Sequence, residues 1–543
     1  MSRYNYRRRK SGTAVAAGVG IGGENPIRNQ SMTNTDTADA EASARQARQI
    51  ADAGGEIVRL NTQGVRDAET LAEIKRILKE GGCDVPLVAD VHFNPRAAFA
   101  AAKTCDKVRI NPGNFADPGR TFRKLDFTDA EYAAELKRID EAVTPFFDLC
   151  KERGVCVRLG VNHGSLSDRI MSRYGDTPAG MVESVMEYLR VARKRGFDNI
   201  VISIKASNTG IMVETVRLLD REMAREEMNF PLHLGVTEAG DGEDGRVKSA
   251  IGIGALLLDG LGDTIRVSLS EDPELEIPVA RRIADFVESV KGHASITEPT
   301  EIKPGNARDY SAPLPASLGG LRYVALTADT ETIPEEWHRA DASDAPTLYA
   351  DTLPVILTSG HHHKSGELKS WIDRFTAMGG TNPIIVSLRF DTDDMEQLQV
   401  EAGMIFGALF LSGYASGLQI IAPSFPRETI ARLELGILQG TRLRMTKTEY
   451  ISCPSCGRTL FDLQENLKKV KEATEGLKGL KIAVMGCVVN GPGEMADADY
   501  GYVGAGAGRV SIYKGKELIE KNIPAADALP ALLELLRKDG HIK

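Results

Sequence analysis

The feature that most constrains this chain is a rhythm in its first half. Short apolar runs at 27–32, 56–61, 86–91, 107–111, 155–160, 199–204, 232–236 and 264–268 alternate with amphipathic stretches such as 66–80 and 179–195. Runs of that length separated by helical patterns mark βα units, whose strands pair in parallel. Eight units in series predict an α/β fold with an N-terminal TIM (β/α)8 barrel. A doubly wound sheet is the alternative.

The ends of these runs break a rule. A parallel strand buried on both faces should be apolar throughout. Here seven consecutive runs end in polar or charged residues: Arg59, Asp90, Arg109 with Asn111, Arg158 with Asn162 and His163, Lys205, Glu238, and Arg266 with Ser268. One arginine at a strand end is ordinarily a surface ion pair. Seven such ends in series point to the carboxyl-terminal mouth of a barrel, where active sites sit. The mouth is rich in cations, so it calls for an anion, and bidentate arginines suit phosphate or diphosphate oxygens. Glu238 is the candidate proton donor or acceptor among these cations. Asp90 is a candidate for orienting a substrate hydroxyl.

Composition narrows the partners. Lys and Arg number 67 against 76 Asp and Glu, a net charge of −9, which argues against nucleic acid as the partner. The basic run Arg7–Lys10 reads as a solvated tail. Seven cysteines, an odd and sparse count, with no apolar segment behind the basic start, fit a reducing cytoplasm. The uncharged stretch 402–426 could be mistaken for a membrane span. Its Ser, Gly, Gln and Pro residues argue instead for a buried helix to about Leu411, a turn, and a buried strand over Leu418–Ile421. No membrane attachment is expected.

Two motifs are set aside. Gly18, Gly20 and Gly23 match G-x-G-x-x-G, but no convincing strand precedes them and Pro26 follows where a helix should begin. GAGAG at 504–508 is expected to form a turn. His361–His363 look like a metal tract, yet adjacent side chains point in different directions, so a surface loop or helix start is expected.

A Pro-, Gly- and Ser-rich stretch at 297–320 reads as a linker. Beyond it, runs near 321–326, 353–358 and 384–390 predict a structural α/β module. The domains expected are therefore 1–296, the barrel; 297–446, the insertion; and 447–543.

The last hundred residues carry the sharpest chemical signal. Cys453-Pro-Ser-Cys456 follows the strand-like TEYIS, and Cys487 follows KIAVM within GCVVNGPGE. A lone CxxC is weak. A third cysteine among Gly486, Gly491 and Gly493 strengthens it, because glycines let backbone amides approach cluster sulfurs. No histidine lies between Cys456 and His541, which disfavours a closed Cys₃His zinc site. Three thiolates and one replaceable position describe a 4Fe–4S cluster that acts on substrate. Glu494 is the nearest carboxylate able to cap the fourth iron. The other four cysteines read as small buried residues.

NQSMTNTDT (29–37), VRINPGN (108–114), RLGVNHGSL (158–166), ISCPSCGRT (451–459) and MGCVVNGPGEMADADYGYVG (485–504) resemble the 4-hydroxy-3-methylbut-2-enyl diphosphate synthase family, the IspG (GcpE) type. The stretch 297–446 resembles the extra domain of that family's three-domain form. The resemblance implies reductive dehydration and ring opening of 2-C-methyl-D-erythritol 2,4-cyclodiphosphate in the methylerythritol phosphate pathway. It implies a 4Fe–4S cluster, electrons from ferredoxin or flavodoxin, and an α+β C-terminal domain like a sulfite reductase half-domain. It implies that the barrel holds the diphosphate, and the cationic mouth offers Arg59, Arg109, Arg158, Lys205, Arg266 and Ser268 for it, with Asn162 and His163 in support. Two other classes stay open: a pterin- or phosphosugar-binding barrel transferase with a structural metal, and a non-enzymatic cluster carrier. Also open is whether the cluster domain caps its own barrel or that of a partner in a homodimer.

Overall fold

The chain is described as a computed structural model over residues 2–117, 125, 127–299, 314, 321–455, 459, 461–487, 495 and 497–542. It divides into two compact units. The larger comprises Lys10–Gly245, Gly262–Ala280 and Lys447–Lys543; the other comprises Met1–Arg9, Arg246–Leu261 and Arg281–Thr446.

In the larger unit, eight parallel strands form the barrel. They are β1 (Arg28–Met32), β2 (Ile57–Thr62), β3 (Leu87–Val91), β4 (Lys107–Ile110), β5 (Cys156–Asn162), β6 (Ile200–Lys205), β7 (His233–Leu234) and β8 (Thr264–Ile265). The hydrogen-bonded order runs from β6 down to β1 and on through β8 to β7. A parallel bridge from Ile202 to Leu232 closes the ring. Each strand falls within two or three residues of its expected position, and the α/β barrel is the fold observed.

Local chemistry sets the helix boundaries. The helix Pro178–Arg195 starts at Thr177, whose hydroxyl accepts from Gly180 N, and stops at Gly196 in the left-handed conformation.

Gly18 and Gly20 belong to a hairpin, Thr13–Ala16 with Val19–Gly22, turning at Ala17 and Gly18, both at positive φ. A strand therefore does precede the glycines, and a second strand, not a helix, comes after the turn. The two-residue turn takes positive φ at both positions, which glycine meets freely at 18 and Ala17 meets at φ +45. Ala14, Ala16 and Ile21 pack against Ile57, Val88, Cys156 and Val201, at the amino-terminal ends of the barrel strands. The hairpin thus plugs the end of the barrel opposite the polar strand ends.

The same unit holds a second sheet: β14 (Glu449–Ser452), β15 (Lys481–Met485), β16 (Tyr500–Gly506), β17 (Arg509–Lys514) and β18 (Glu517–Pro524). The first three are parallel and the last two antiparallel. Helices Leu463–Thr474 and Ala525–Lys538 bury Leu467, Val470, Leu532 and Leu536 against it. The GAGAG segment is strand as far as Gly506, and only Ala507 and Gly508 turn. Pairing across the ladder with β17 outweighs the low strand preference of glycine.

The other unit carries five parallel strands: β9 (Val324–Ala325), β10 (His338–Asp341), β11 (Val355–Thr358), β12 (Ile384–Arg389) and β13 (Gly417–Ile421), in the order β9-β13-β12-β11-β10. Their core includes Trp371, Phe375, Val386, Phe406 and Leu418. The uncharged stretch is the end of the buried helix Met395–Phe410 followed by β13. Among the described residues no helix is long and apolar enough to cross a membrane. His361–His363 stand at the start of the helix Lys364–Ala377, and His363 is buried rather than on the surface. Burial, with Lys369 nearby, pushes His363 down to about 3.

The helix Met395–Phe410 meets its neighbour through small residues. A Cβ on Gly407 would come within 2.8 Å of Ile251 Cα, a backbone atom that cannot move aside cheaply. Gly407→Leu should therefore cost about 3 kcal/mol, the upper end of overpacking effects. Both tryptophans of the chain, Trp337 and Trp371, lie in this unit, so their fluorescence reports its urea transition. The variant's midpoint is expected at clearly lower urea, and an unchanged midpoint would contradict the close helix contact.

Candidate active site at the barrel mouth

The register of the barrel builds the site. Asp90 on β3 stands beside Arg109 on β4, and Arg109 beside Arg158 on β5. All three are buried. Asp90 Oδ1 lies 3.4 Å from Arg109 Nη1 and 3.3 Å from Arg158 Nη2, and Asp90 Oδ2 lies 3.8 Å from Arg59 Nε. Burial alone would raise the Asp90 carboxyl, but the facing guanidiniums of Arg59 and Arg109 win and hold it well below the usual range. Arg158 also donates to Ser203 Oγ at 2.7 Å, and Arg109 to Gly160 O at 2.9 Å. Arg266 is gripped on two nitrogens by Glu276, at 3.0 and 3.1 Å.

These cations fit because glycines make room for them. A Cβ on Gly160 would sit 2.7 Å from Arg109 Nε, and one on Gly235 would sit 2.7 Å from Lys205 Nζ. Crowding has an electrostatic cost. Burial first, then neighbouring arginines, push Lys205 and Arg158 well below their ordinary values, and Arg59 down to about 10. A bound anion would relieve that cost.

One cavity gathers most of the expected residues. Arg59, Asp90, Arg109, Arg158, Asn162 and Lys205 line it, as do Glu238, Arg266 and Ser268, and so do Cys453 and Cys487 of the C-terminal sheet. The cysteines thus face the barrel of their own chain. Asn111 and His163 are not in the lining. Asn111 accepts from Gly113 N and donates to Ser165 Oγ, and His163 Nε2 stands 3.6 Å from Asp176. Both face neighbouring loops. Cys456 and Glu494 lie outside the described residues.

Met32, His92 and Thr237 also line the cavity and were missed from the sequence. His92 Nε2 is 3.1 Å from Asp90 Oδ2 and 2.7 Å from Arg109 Nη1. Strand alternation could have found it, since residues two apart share a face. Met32 ends β1 and its sulfur accepts from Arg59 Nε at 3.1 Å; being apolar, it gave no signal. Thr237 donates a hydrogen bond to Glu238 Oε2. Glu238 itself has φ +48, a strained conformation for a residue with a side chain, and is buried.

Cys453 and Cys487 stand just past the ends of adjacent parallel strands, β14 and β15. Gly486 N donates to Cys453 Sγ at 3.2 Å. An amide aimed at sulfur favours thiolate and suits a cluster ligand. Among the described residues no three His, Cys, Asp or Glu side chains converge.

Comparison with known proteins agrees with this geometry. The family description GcpE TIM-barrel domain matches residues 13–281, and GcpE protein C-terminal domain matches 449–538. The chain belongs to the 4-hydroxy-3-methylbut-2-en-1-yl diphosphate synthase family. A flavodoxin-type synthase of Bacteroides fragilis is 49% identical, covering 99% of this chain and 97% of that one. A ferredoxin-type chloroplastic synthase of Oryza sativa is 37% identical, covering 99% and 88%. A solved dihydropteroate synthase of Xanthomonas albilineans aligns over 52% of the chain at 14% identity with a TM-score of 0.35, a likeness that bears on neither fold nor activity.

Deeper in the barrel, Lys107 is fully buried and its Nζ has no hydrogen-bond partner among the described residues. Burial pushes its ammonium down to about 8. A lysine lowered on folding costs stability in full below its folded value, and the cost fades as pH rises from there to the ordinary lysine value. Lys107→Met should therefore stabilise the protein by about 3 kcal/mol at pH 7. The gap should narrow between pH 8 and 10. Denaturant unfolding followed by circular dichroism at pH 7 and 9.5 checks both the sign and the trend.

Proposed function

We propose that the cationic cavity is where this chain performs its family's reaction. That reaction opens the ring of 2-C-methyl-D-erythritol 2,4-cyclodiphosphate and expels water, taking up two electrons and a proton, to give 4-hydroxy-3-methylbut-2-enyl diphosphate. It is a step of the methylerythritol phosphate pathway to isoprenoids, and the enzyme is an oxidoreductase of the iron–sulfur type. On this reading 1–296 binds substrate, 297–446 is structural and 447–543 holds the cluster. The enzyme works in the cytoplasm, with flavodoxin or ferredoxin as electron donor.

The observation that carries the reading is charge. Five cations, Arg59, Arg109, Arg158, Lys205 and Arg266, line the cavity with two carboxylates, Asp90 and Glu238. Glu276 adds a third through Arg266. Cations outnumber carboxylates there, which suits the anionic oxygens of a cyclic diphosphate. Asp90 anchors three guanidiniums so that their remaining N–H groups face the substrate oxygens. Ser268 and Asn162 add neutral hydrogen bonds. The charged lining side chains are buried, and the lower local dielectric strengthens each contact.

The cysteines fit an iron–sulfur group, since the Gly486 amide already supports one of their sulfurs. Cys453, Cys456, Cys487 and Glu494 would hold a 4Fe–4S cluster, which when bound supplies electrons one at a time. Glu238 holds the proton that the departing hydroxyl oxygen takes up, and Thr237 fixes the orientation of that carboxyl.

The decisive experiment is anaerobic turnover of the cyclodiphosphate by cluster-loaded protein with an artificial reductant. Formation of the allylic diphosphate is expected, from protein with about four irons per chain. A colourless zinc protein, or cluster-loaded protein without conversion, would overturn the assignment.

Two substitutions test the roles. Glu238→Gln should keep substrate affinity and iron content but lose about 10²–10⁴-fold in turnover, the range for a missing acid. Wild-type turnover would remove Glu238 from proton transfer. Lysine in place of Arg59, Arg109 or Arg158 keeps the charge but loses the two-pronged donor. Each should cost about 1.5–3 kcal/mol in kcat/KM.

A further inference from the structure

Ser270 is buried in the segment that follows β8, in the larger unit, and is not among the described residues that line the cavity. Its hydroxyl faces the strand that carries the first cysteine. Ser270 Oγ is 2.7 Å from Ser452 Oγ, 3.0 Å from the Cys453 carbonyl and 3.2 Å from the Ser452 carbonyl. A hydroxyl has one proton and two lone pairs. With Ser452 Oγ donating to Ser270, the one Ser270 proton goes to the nearer carbonyl, that of Cys453, with the Ser452 carbonyl as the second acceptor in reach. Its backbone N–H donates to Gly240 O at 2.9 Å.

Gly240 ends the loop that carries Glu238, and that loop meets β14 directly. Ala239 and Ser452 form an isolated parallel bridge. Two residues, one on each side of this bridge, bear the reacting groups: Glu238 precedes Ala239, and Cys453 follows Ser452. Ser270 is bonded to both segments at once. Flanking ion pairs, Lys447 with Asp244 at 2.7 Å and Lys471 with Asp241, are half-exposed, so salt screens them and they specify little. The buried serine supplies the directional part of the contact.

We propose that Ser270 is a positioning residue: it sets the register between the Cys453 strand and the Glu238 loop, and so the distance from the cluster to the bound diphosphate. The inference rests on the reading of the cavity given above. Removing the hydroxyl would leave the fold and the ligands in place. It would take the hydroxyl donor from the carbonyls at the end of β14 and let β14 slide on the barrel rim. A displacement of about 1 Å at reacting groups is enough to lose about 100-fold in rate.

The test compares wild type, Ser270→Ala and Ser270→Thr as anaerobically loaded full-length protein. Iron content, kcat and KM for the cyclodiphosphate are measured, together with the ³¹P hyperfine coupling between the reduced cluster and bound inorganic pyrophosphate. The coupling reads distance without turnover. Ser270→Ala is expected to keep wild-type iron content and a KM within about twofold, while kcat falls about 10- to 100-fold and the coupling weakens. Ser270→Thr, which keeps the hydroxyl, is expected to recover most of both. The proposal is overturned if Ser270→Ala keeps the wild-type coupling, if it loses iron, or if threonine rescues neither quantity. A wild type that couples to pyrophosphate yet does not convert the cyclodiphosphate would sink the functional reading instead, leaving the positional role of Ser270 standing on the coupling alone.

Discussion

The site depends on one buried carboxylate. Arg59, Arg109 and Arg158 converge from three adjacent strands onto Asp90. Without a counter-charge, three buried guanidiniums within a few ångströms of one another would repel strongly in a low dielectric. Asp90 neutralises one of them and gives all three a common direction. The remainder of the positive charge is left for a ligand. Burial and the neighbouring arginines hold Lys205 and Arg158 well below their ordinary values, a cost that a bound anion would relieve. Binding energy from the diphosphate can thus be spent on holding the reacting carbons in place.

The backbone had to be shaped for this. Strands β5 and β7 run into Gly160 and Gly235, where any side chain would collide with Arg109 or Lys205. Bulk was removed from the barrel wall so that long cationic stems could cross its interior. The opposite end of the barrel shows the contrasting solution, where an apolar hairpin packs on Ile57, Val88 and Val201. Apolar packing fills that end, and charge lines the other.

Most of the barrel was legible because a parallel strand buried on both faces tolerates few residue types. Eight apolar runs stood out, and each polar ending stood out against its own run. The edge strand His338–Asp341 did not, because an edge position buries only part of a strand and HRAD carries no apolar pattern. Within the site, Met32 was invisible because a thioether acceptor looks like core. Asn111 and His163 were read as facing the mouth, yet once a strand has ended the loop geometry decides where a side chain turns, and theirs turn to Ser165 and Asp176. His92 could have been found by carrying the alternation one step beyond Asp90.

The two sheets of the larger unit obey one rule. In each, the reactive residues stand at or just beyond the carboxyl ends of parallel strands: arginines and Glu238 in the barrel, Cys453 and Cys487 in the C-terminal sheet. Such ends leave backbone groups unpaired and run on into loops, so they can carry groups that would never be tolerated in the core. When two of these rims meet, unpaired backbone on one can bond unpaired backbone on the other, as Ala239 and Ser452 do. The two rims that meet there also bring Glu238, the cations, Cys453 and Cys487 into one cavity.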